Sequence, residues 1–271
     1  MPGPPNLMTT QIAIPEPTSL DADYNLRTLA PYLFAIQSAG GTPIVVPLHE
    51  SPGRVARILG CVQGILLPGS RYDVEPERYG EERGPLCGES DPARTAVDEL
   101  LLQDAFNLHK PILAICHGLQ SMNVWLDGTL VQHLATEVDH RPVTGESPGH
   151  SVHLAPGSRL AALAAPHSAS LPASADGGTW REIQVNSSHH QAIRKVGDNL
   201  LVTAISPADQ GVEGVELDSL EQFVVGVQWH PERTYTVNPL SRALFAAFIR
   251  AAEGWLPPLI DESIYDPQTD R

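Results

Sequence analysis

With 271 residues, 42% of them hydrophobic, the chain is long enough to bury a sizeable core, which excludes wholesale disorder. Its 32 acidic residues against 17 basic ones give a net charge of −15 with no basic run to offset it, so nonspecific binding to nucleic acid or to an anionic membrane is excluded as a function class. Cys61, Cys87 and Cys116 contain no CxxC pair, which gives neither a disulfide framework nor a zinc knuckle and fits a reducing compartment.

Residues 1–10 read as a loose tail without the basic-then-apolar pattern of a signal peptide. No apolar run approaches the roughly 20 residues of a membrane span. The expected location is cytoplasmic. Gln11–Ile14 is a short predicted strand ended by Pro15. Asp21–Ala39 carries Leu26, Leu29, Leu33 and Ile36 at helical spacing, and Gly40-Gly41 stops it. Pro43–Leu48 reads as a strand, Val55–Leu59 as a short helix, and Val62–Leu67 as a strand broken by Pro68-Gly69. Thr95–Leu108 is a helix offering Ala96, Leu100, Leu101 and Phe106 to the core, and Ile112–Ile115 is a fourth apolar strand. Continuous apolar strands alternating with helices imply a mostly parallel sheet covered on both faces.

Beyond residue 127 the texture changes. Gly128–Leu134, Val152–Leu154, Glu182–Val185, Leu200–Ile205, Gly214–Leu217 and Phe223–Trp229 read as strands with little helix between them, the signature of antiparallel additions to a parallel core. Residues 140–180, rich in Pro, Ser, Gly and Ala, form a long excursion with a short helix at Arg159–Ala165. A last helix, Pro239–Ala252, precedes a Pro-rich acidic tail over 253–271. The chain therefore divides into a tail at 1–10, one α/β domain at 11–252 and a second tail.

Cys116 stands at the carboxyl end of a predicted strand, where open parallel sheets place their ligands. Ala114-Ile115-Cys116-His117-Gly118 has the small-x-nucleophile-x-Gly form of a strand–turn–helix elbow. Such a turn strains the nucleophile and sets it at a helix N-terminus, where the dipole favours a thiolate. Free cysteines are usually small buried hydrophobes, and Cys61 and Cys87 keep that reading; the junction reverses it for Cys116. A base and its orienter are offered by VVGVQWHPE at 224–232. In extended chain, alternate residues share a side, which puts Gln228, His230 and Glu232 together. Glu232 beside His230 would fix its tautomer and favour the imidazolium. The backbone N–H groups of Gly69 and Ser70, in the turn after the preceding strand, together with that of His117, supply an oxyanion hole. Asn186–Gln191 (NSSHHQ) is a dense polar cluster. Two adjacent histidines are weak grounds for a metal, and no carboxylate or third ligand is spaced nearby to complete a zinc site.

C-x-G-x-Q at Cys116, Gly118 and Gln120, followed by Asn123 and GTLVQHL at 128–134, resembles the class I glutamine amidotransferase superfamily. LPGSRYDVEPERYGE at 67–81, VNSSHHQAI at 185–193 and GVQWHPE at 226–232 narrow the resemblance to the gamma-glutamyl-gamma-aminobutyrate hydrolase family, the peptidase C26 group. The motifs fall in family order over roughly residues 10–252. The resemblance implies a flavodoxin-like three-layer α/β sandwich with a catalytic triad of Cys116 as nucleophile, His230 as base and Glu232 as orienter. It further implies a small gamma-glutamyl substrate held by Gln120, Ser187, Ser188, His189 and His190. The chain departs from the family pattern at Ser70 and Ala114, where glycine is frequent, and at His117, where arginine or tyrosine is. Serine keeps its backbone N–H, so the oxyanion role survives unless a positive φ is needed there.

The resulting expectation is a cysteine-dependent hydrolase that cleaves a gamma-glutamyl amide through a glutamyl thioester. It would use no metal or organic cofactor and neither nucleic acid nor membrane as partner, and the reading allows a homodimer. Two other readings stand beside it: a glutaminase subunit that delivers ammonia to a separate synthase, and a non-catalytic binding module on the same fold. The second loses ground because the cysteine, histidine and glutamate are all retained.

Overall fold

The first element is strand β1 (Gln11–Pro15) in a computed structural model that describes residues 9–138, 140, 149–171 and 178–258. The first eight residues and those from 259 onward, which hold most of both expected tails, lie outside the described residues, as do 141–148 and 172–177 of the expected excursion. Helix α1 (Ala22–Ser38) starts where the Asp21 side chain accepts from the Tyr24 N–H, an N-cap that satisfies one of the free first-turn donors. It is followed by β2 (Thr42–Val46), α2 (Pro52–Leu59), β3 (Gly64–Leu67), a 3-10 turn at Pro76–Tyr79, α3 (Pro92–Asn107), β4 (Ile112–Ile115) and α4 (His117–Trp125). The second half supplies β5 (Thr129–Val131), β6 (Gly149–Leu154), α5 (Arg159–Ala164), β7 (Ala169–Ser170), β8 (Arg181–Asn186), β9 (Ala192–Lys195), β10 (Leu200–Ile205), β11 (Val212–Leu217) and β12 (Val224–Val227). A 3-10 turn at Pro231–Thr234 leads to α6 (Pro239–Glu253), capped by Asn238.

The sheet runs β2-β1-β3-β4-β12-β11-β10-β6-β8-β7, with β9 joined to β11 and β5 joined to β9. The five strands from β2 to β12 are parallel, and from β12 onward every pairing on this path is antiparallel. The mostly parallel α/β sheet with antiparallel additions, expected from the change of texture, is what the chain builds.

Period-two alternation sorts the parallel strands between two apolar layers. Ile12, Ile14, Leu66, Leu113, Ile115, Val225 and Val227 face α1, α5 and α6, where Leu29, Tyr32, Ile36, Leu160, Phe245 and Phe248 meet them. Ala13, Ile65, Leu67, Ile112, Ala114 and Val224 face α2, α3 and α4, packing on Val55, Leu59, Leu101, Leu102, Leu119 and Met122. Each large side chain so buried contributes about 1.5–3 kcal/mol, so both faces of this sheet must remain covered.

Two helices turn differently from the expectation. On α1 the buried residues are Asn25, Leu29, Tyr32, Ala35 and Ile36, whereas Leu26 is 75% exposed. Asn25 earns its buried place by bonding both ways with Thr18, through its Oδ1 and its Nδ2. On α3, which starts at Pro92 and not Thr95, Ala96 and Leu100 face solvent while Arg94, Val97, Asp98, Leu101, Leu102 and Ala105 are buried. A buried ion pair, Arg94–Asp98, occupies the stripe that an apolar count would fill. Among the described residues, no helix is long and apolar enough to cross a membrane.

Candidate active site

Strand β4 ends at Ile115, and the chain turns at once into α4 through Cys116, whose φ of 53° and ψ of −108° lie outside the regions open to ordinary side chains. The surroundings over-determine this strain, as stored strain requires. The Cys116 N–H donates to the Val227 carbonyl at 2.8 Å, extending the β4–β12 ladder by one rung, and its carbonyl accepts the Gln120 N–H at 3.1 Å. Two residues later α4 passes so close to β3 that a Cβ on Gly118 would lie 2.3 Å from the Leu67 carbonyl oxygen. Only glycine permits that approach, and the approach aims the helix N-terminus at the cleft.

His230 reaches the same place from the end of β12. Its backbone is clamped by Asn186: the His230 N–H donates to Asn186 Oδ1 and the Asn186 amide donates to the His230 carbonyl, each at 2.8 Å. Its Nδ1 lies 2.8 Å from Glu232 Oε1, so Glu232 holds the tautomer that carries hydrogen on Nδ1. Among the described residues Nε2 has no other hydrogen-bond partner and is left to the Cys116 side. Burial works against charge on the imidazole, but the Glu232 carboxylate and then the Cys116 thiol outweigh it and raise His230 to about 9. The extended alternation expected through 228–232 does not extend that far: β12 stops at Val227, and Glu232 meets His230 from the 3-10 turn that Pro231 begins.

The turn after β3 forms the facing wall. A Cβ on Gly69 would come within 2.9 Å of His230 Cε1 and 3.1 Å of the Tyr32 hydroxyl, so glycine here makes room for the histidine. The Gly69 N–H is already committed, donating to the Tyr32 hydroxyl at 3.0 Å, which removes it from the expected oxyanion set. Ser70 has no left-handed φ, so its departure from glycine costs no backbone strain. Behind the turn, the buried Arg94 guanidinium donates to the Pro68 carbonyl at 2.8 Å and the Pro17 carbonyl at 3.1 Å while paired to Asp98 at 2.7 Å. The His117 imidazole is buried beside this pair; burial first, and the Arg94 charge second, push its pKa well below the ordinary value and keep it neutral.

Cys116 opens into a cleft of about 390 Å³ lined by Ser70, Arg71, Tyr72 and Asp73 on one side and by Gln120, Ser188, His189, His190 and Gln191 on the other. Gln120 spends its amide N–H groups on the Gln191 carbonyl at 3.1 Å and on Gln228 Oε1 at 3.0 Å, which leaves its own carbonyl oxygen to the cleft. His190 is held by Asp73 at 2.8 Å. Ser187, expected with this group, does not line the cleft; it is fully buried, and its hydroxyl donates to the His140 carbonyl. Sequence reasoning missed Tyr32, Arg71, Asp73, Arg94 and Asn186. The last was signalled by its place at the head of NSSHHQ, Arg71 and Asp73 by theirs just after the PGS turn.

A parallel sheet that turns antiparallel, with a strained cysteine at the end of a central strand, defines a class I glutamine amidotransferase-like hydrolase. The glutaminase domain of Trypanosoma brucei CTPS with bound acivicin shares this fold, at a TM-score of 0.59 and 17% identity over 90% of this chain and 94% of that one. Protein NtpR of Enterococcus hirae is 34% identical over 225 residues, 81% of this chain and 87% of the relative. The gamma-glutamyl-gamma-aminobutyrate hydrolase PuuD of Escherichia coli strain K12 is 36% identical over 232 residues, 82% and 85% of the two chains. The family model of peptidase C26 matches residues 10–232, and the chain belongs to that family.

Proposed function

We propose that the chain hydrolyses the gamma-glutamyl amide bond of a small gamma-glutamyl compound, with Cys116, His230 and Glu232 as its catalytic triad. The observation that carries this reading is the strained Cys116 on the elbow, facing an imidazole whose Nδ1 is fixed by Glu232 at 2.8 Å and whose Nε2 is uncommitted. Sγ of Cys116 attacks the side-chain carbonyl carbon, and the oxygen takes up negative charge beside the backbone N–H groups of Ser70 and His117. Preorganised donors of this kind are worth on the order of 10²–10³ in rate each. The imidazolium delivers its Nε2 proton to the departing amine, the C–N bond breaks, and a glutamyl thioester remains. Water then adds to the thioester carbonyl, giving its proton to His230. Collapse expels the Cys116 sulfur and releases glutamate.

The cleft offers a glutamyl head group acceptors and donors of the right kind: the Gln120 carbonyl for the ammonium, and Ser188 and the Arg71 guanidinium for the carboxylate, with His189 and His190 in the wall. The test is turnover of a panel of gamma-glutamyl amides by the purified chain with Cys116→Ala as the blank. Hydrolysis of the best amide is expected to disappear in the blank. A blank that hydrolyses at the wild-type rate would end the mechanism, and ammonia release from glutamine only in the presence of a separate synthase would replace it with the glutaminase-subunit reading.

A further inference from the structure

Behind the cleft wall, four side chains from distant parts of the sequence meet: His140 before β6, His150 on β6, His189 after β8 and Glu213 on β11. All are nearly or fully withdrawn from solvent, with side chains 3%, 9%, 3% and 1% exposed. One carboxylate oxygen, Glu213 Oε1, lies 3.2 Å from His150 Nε2, 3.6 Å from His189 Nε2 and 3.7 Å from His140 Nδ1. None of these approaches is a well-formed hydrogen bond: both Glu213 oxygens, both His150 nitrogens and His189 Nε2 have no hydrogen-bond partner among the described residues. A buried polar atom without a partner costs about 1–3 kcal/mol, and five of them crowd one spot here.

The other ring nitrogens settle which atoms face inward. His140 Nε2 lies 2.9 Å from Asp209 Oδ2 and carries the hydrogen, which puts the lone pair on Nδ1, 3.3 Å from the Ser187 hydroxyl. His189 Nδ1 donates to the Gln191 carbonyl at 2.9 Å, leaving the Nε2 lone pair toward Glu213. A carboxylate or carbonyl behind each of two imidazoles is the outer shell that metal-bound histidines have. The ligand atoms of His140, His150 and Glu213 lie within 4.8 Å of one another. Tetrahedral zinc with bonds of about 2.0–2.2 Å wants its ligands roughly 3.3–3.5 Å apart, close to what the three approaches to Glu213 already give.

We propose that His140, His150 and Glu213 form a structural zinc site, with His189, whose Nε2 lies 3.6 Å from the same carboxylate oxygen, as its wall. Two imidazoles and one buried carboxylate suit a borderline ion, with a water completing its four positions. Its work is mechanical. It ties β6 and β11 to His140, whose carbonyl accepts the His189 N–H at 2.7 Å in the loop that presents Ser188, His190 and Gln191 to the cleft. A second cavity of about 290 Å³, bounded by His133, Leu134, His140 and His189, gives the ion a way in.

The experiment reads metal and not turnover, so failure of the hydrolase reading would leave it intact. The full chain, expressed with zinc and desalted, is expected to retain about one zinc per chain by elemental mass spectrometry, in the wild type and in Cys116→Ala alike. Glu213→Gln and His150→Ala are each expected to reduce that content at least tenfold. Stripping the wild type with dipicolinate should lower its melting temperature by several degrees, with recovery on adding Zn²⁺ and none on adding Mg²⁺; cobalt substitution should give the intense visible absorption of a tetrahedral site. Stripped wild-type protein that takes up no zinc in a competition titration would overturn the proposal, even where the variants fail to fold. So would equal zinc in wild type and Glu213→Gln.

Discussion

Asn186 holds His230 by its backbone from both directions, accepting from its N–H and donating to its carbonyl at 2.8 Å each. Asn186 sits at the end of β8 and His230 beyond the end of β12, so this pair joins the antiparallel half of the sheet to the catalytic edge of the parallel half. Asn186→Ala removes both bonds and takes away the partner of the His230 N–H, while the His230 carbonyl keeps the Arg233 N–H at 3.2 Å. A displacement of about 1 Å at a catalytic base costs on the order of 10²-fold. The expected result is a fall of about 10–10²-fold in kcat with far-UV circular dichroism unchanged, checked by steady-state kinetics beside the spectrum.

The pH dependence follows from His230. Its folded-state pKa, about 9, is raised above the ordinary imidazole value. The stability it contributes is therefore fully present below about 6.5 and is lost as pH rises through about 9. The imidazolium to which the proposed mechanism assigns protonation of the leaving amine is lost over the same range, so kcat/KM should decline on an alkaline limb near pH 9. In Glu232→Gln, burial opposes the charge without its main counterweight. The limb should move to lower pH and the rate should fall by about 10²–10⁴-fold. A pH–rate profile of the two proteins checks both; an unmoved limb would detach Glu232 from the base.

Arg94 is buried to 1% exposure and bridges Asp98 to the Pro68 carbonyl. Arg94→Met strands the Asp98 carboxylate, whose pKa burial already raises, and should cost about 3–5 kcal/mol in urea unfolding. The double variant Arg94→Met with Asp98→Leu removes both charges and should recover most of that loss. Its kcat should stay low, because the turn bearing Ser70 has lost its anchor at Pro68.

Gly118→Ala puts a methyl group 2.3 Å from the Leu67 carbonyl oxygen, a backbone atom of a central strand that has nowhere to go. Overpacking of this kind costs about 1–3 kcal/mol, occasionally more. The expected outcome is a lower urea midpoint together with reduced alkylation of Cys116 by iodoacetamide, since α4 must tilt and take the elbow with it.

Much of the parallel core was legible because doubly covered strands leave continuous apolar runs, and Ile112–Ile115 falls where that rule places it. The elbow was legible because Gly118 is forced by sterics that sequence spacing reflects. Helix faces were less so. Buried Asn25 and Tyr32 displace apolar residues from the α1 stripe, because each has a hydrogen-bonding task that hydropathy does not register. Strand β9 was missed since four residues after a polar cluster carry too little alternation. Glu232 was chosen on an extended geometry that Pro231 ends, and the residue still reaches His230 from a tight turn. Local spacing near NSSHHQ offered no third metal ligand. His140, His150 and Glu213 come from other segments, and only the pairing of β6, β8, β10 and β11 gathers them.

Cys116 and His230 issue from adjacent strands whose register aligns Ile115 with Val227. The separation of sulfur and imidazole is thus set first by a main-chain ladder, with the Asn186 clamp holding the histidine beyond its last rung. Segments around the mouth, such as the one bearing Arg71 and Tyr72, take no part in that ladder. A different leaving amine then calls for new loops and leaves the reacting pair as it is.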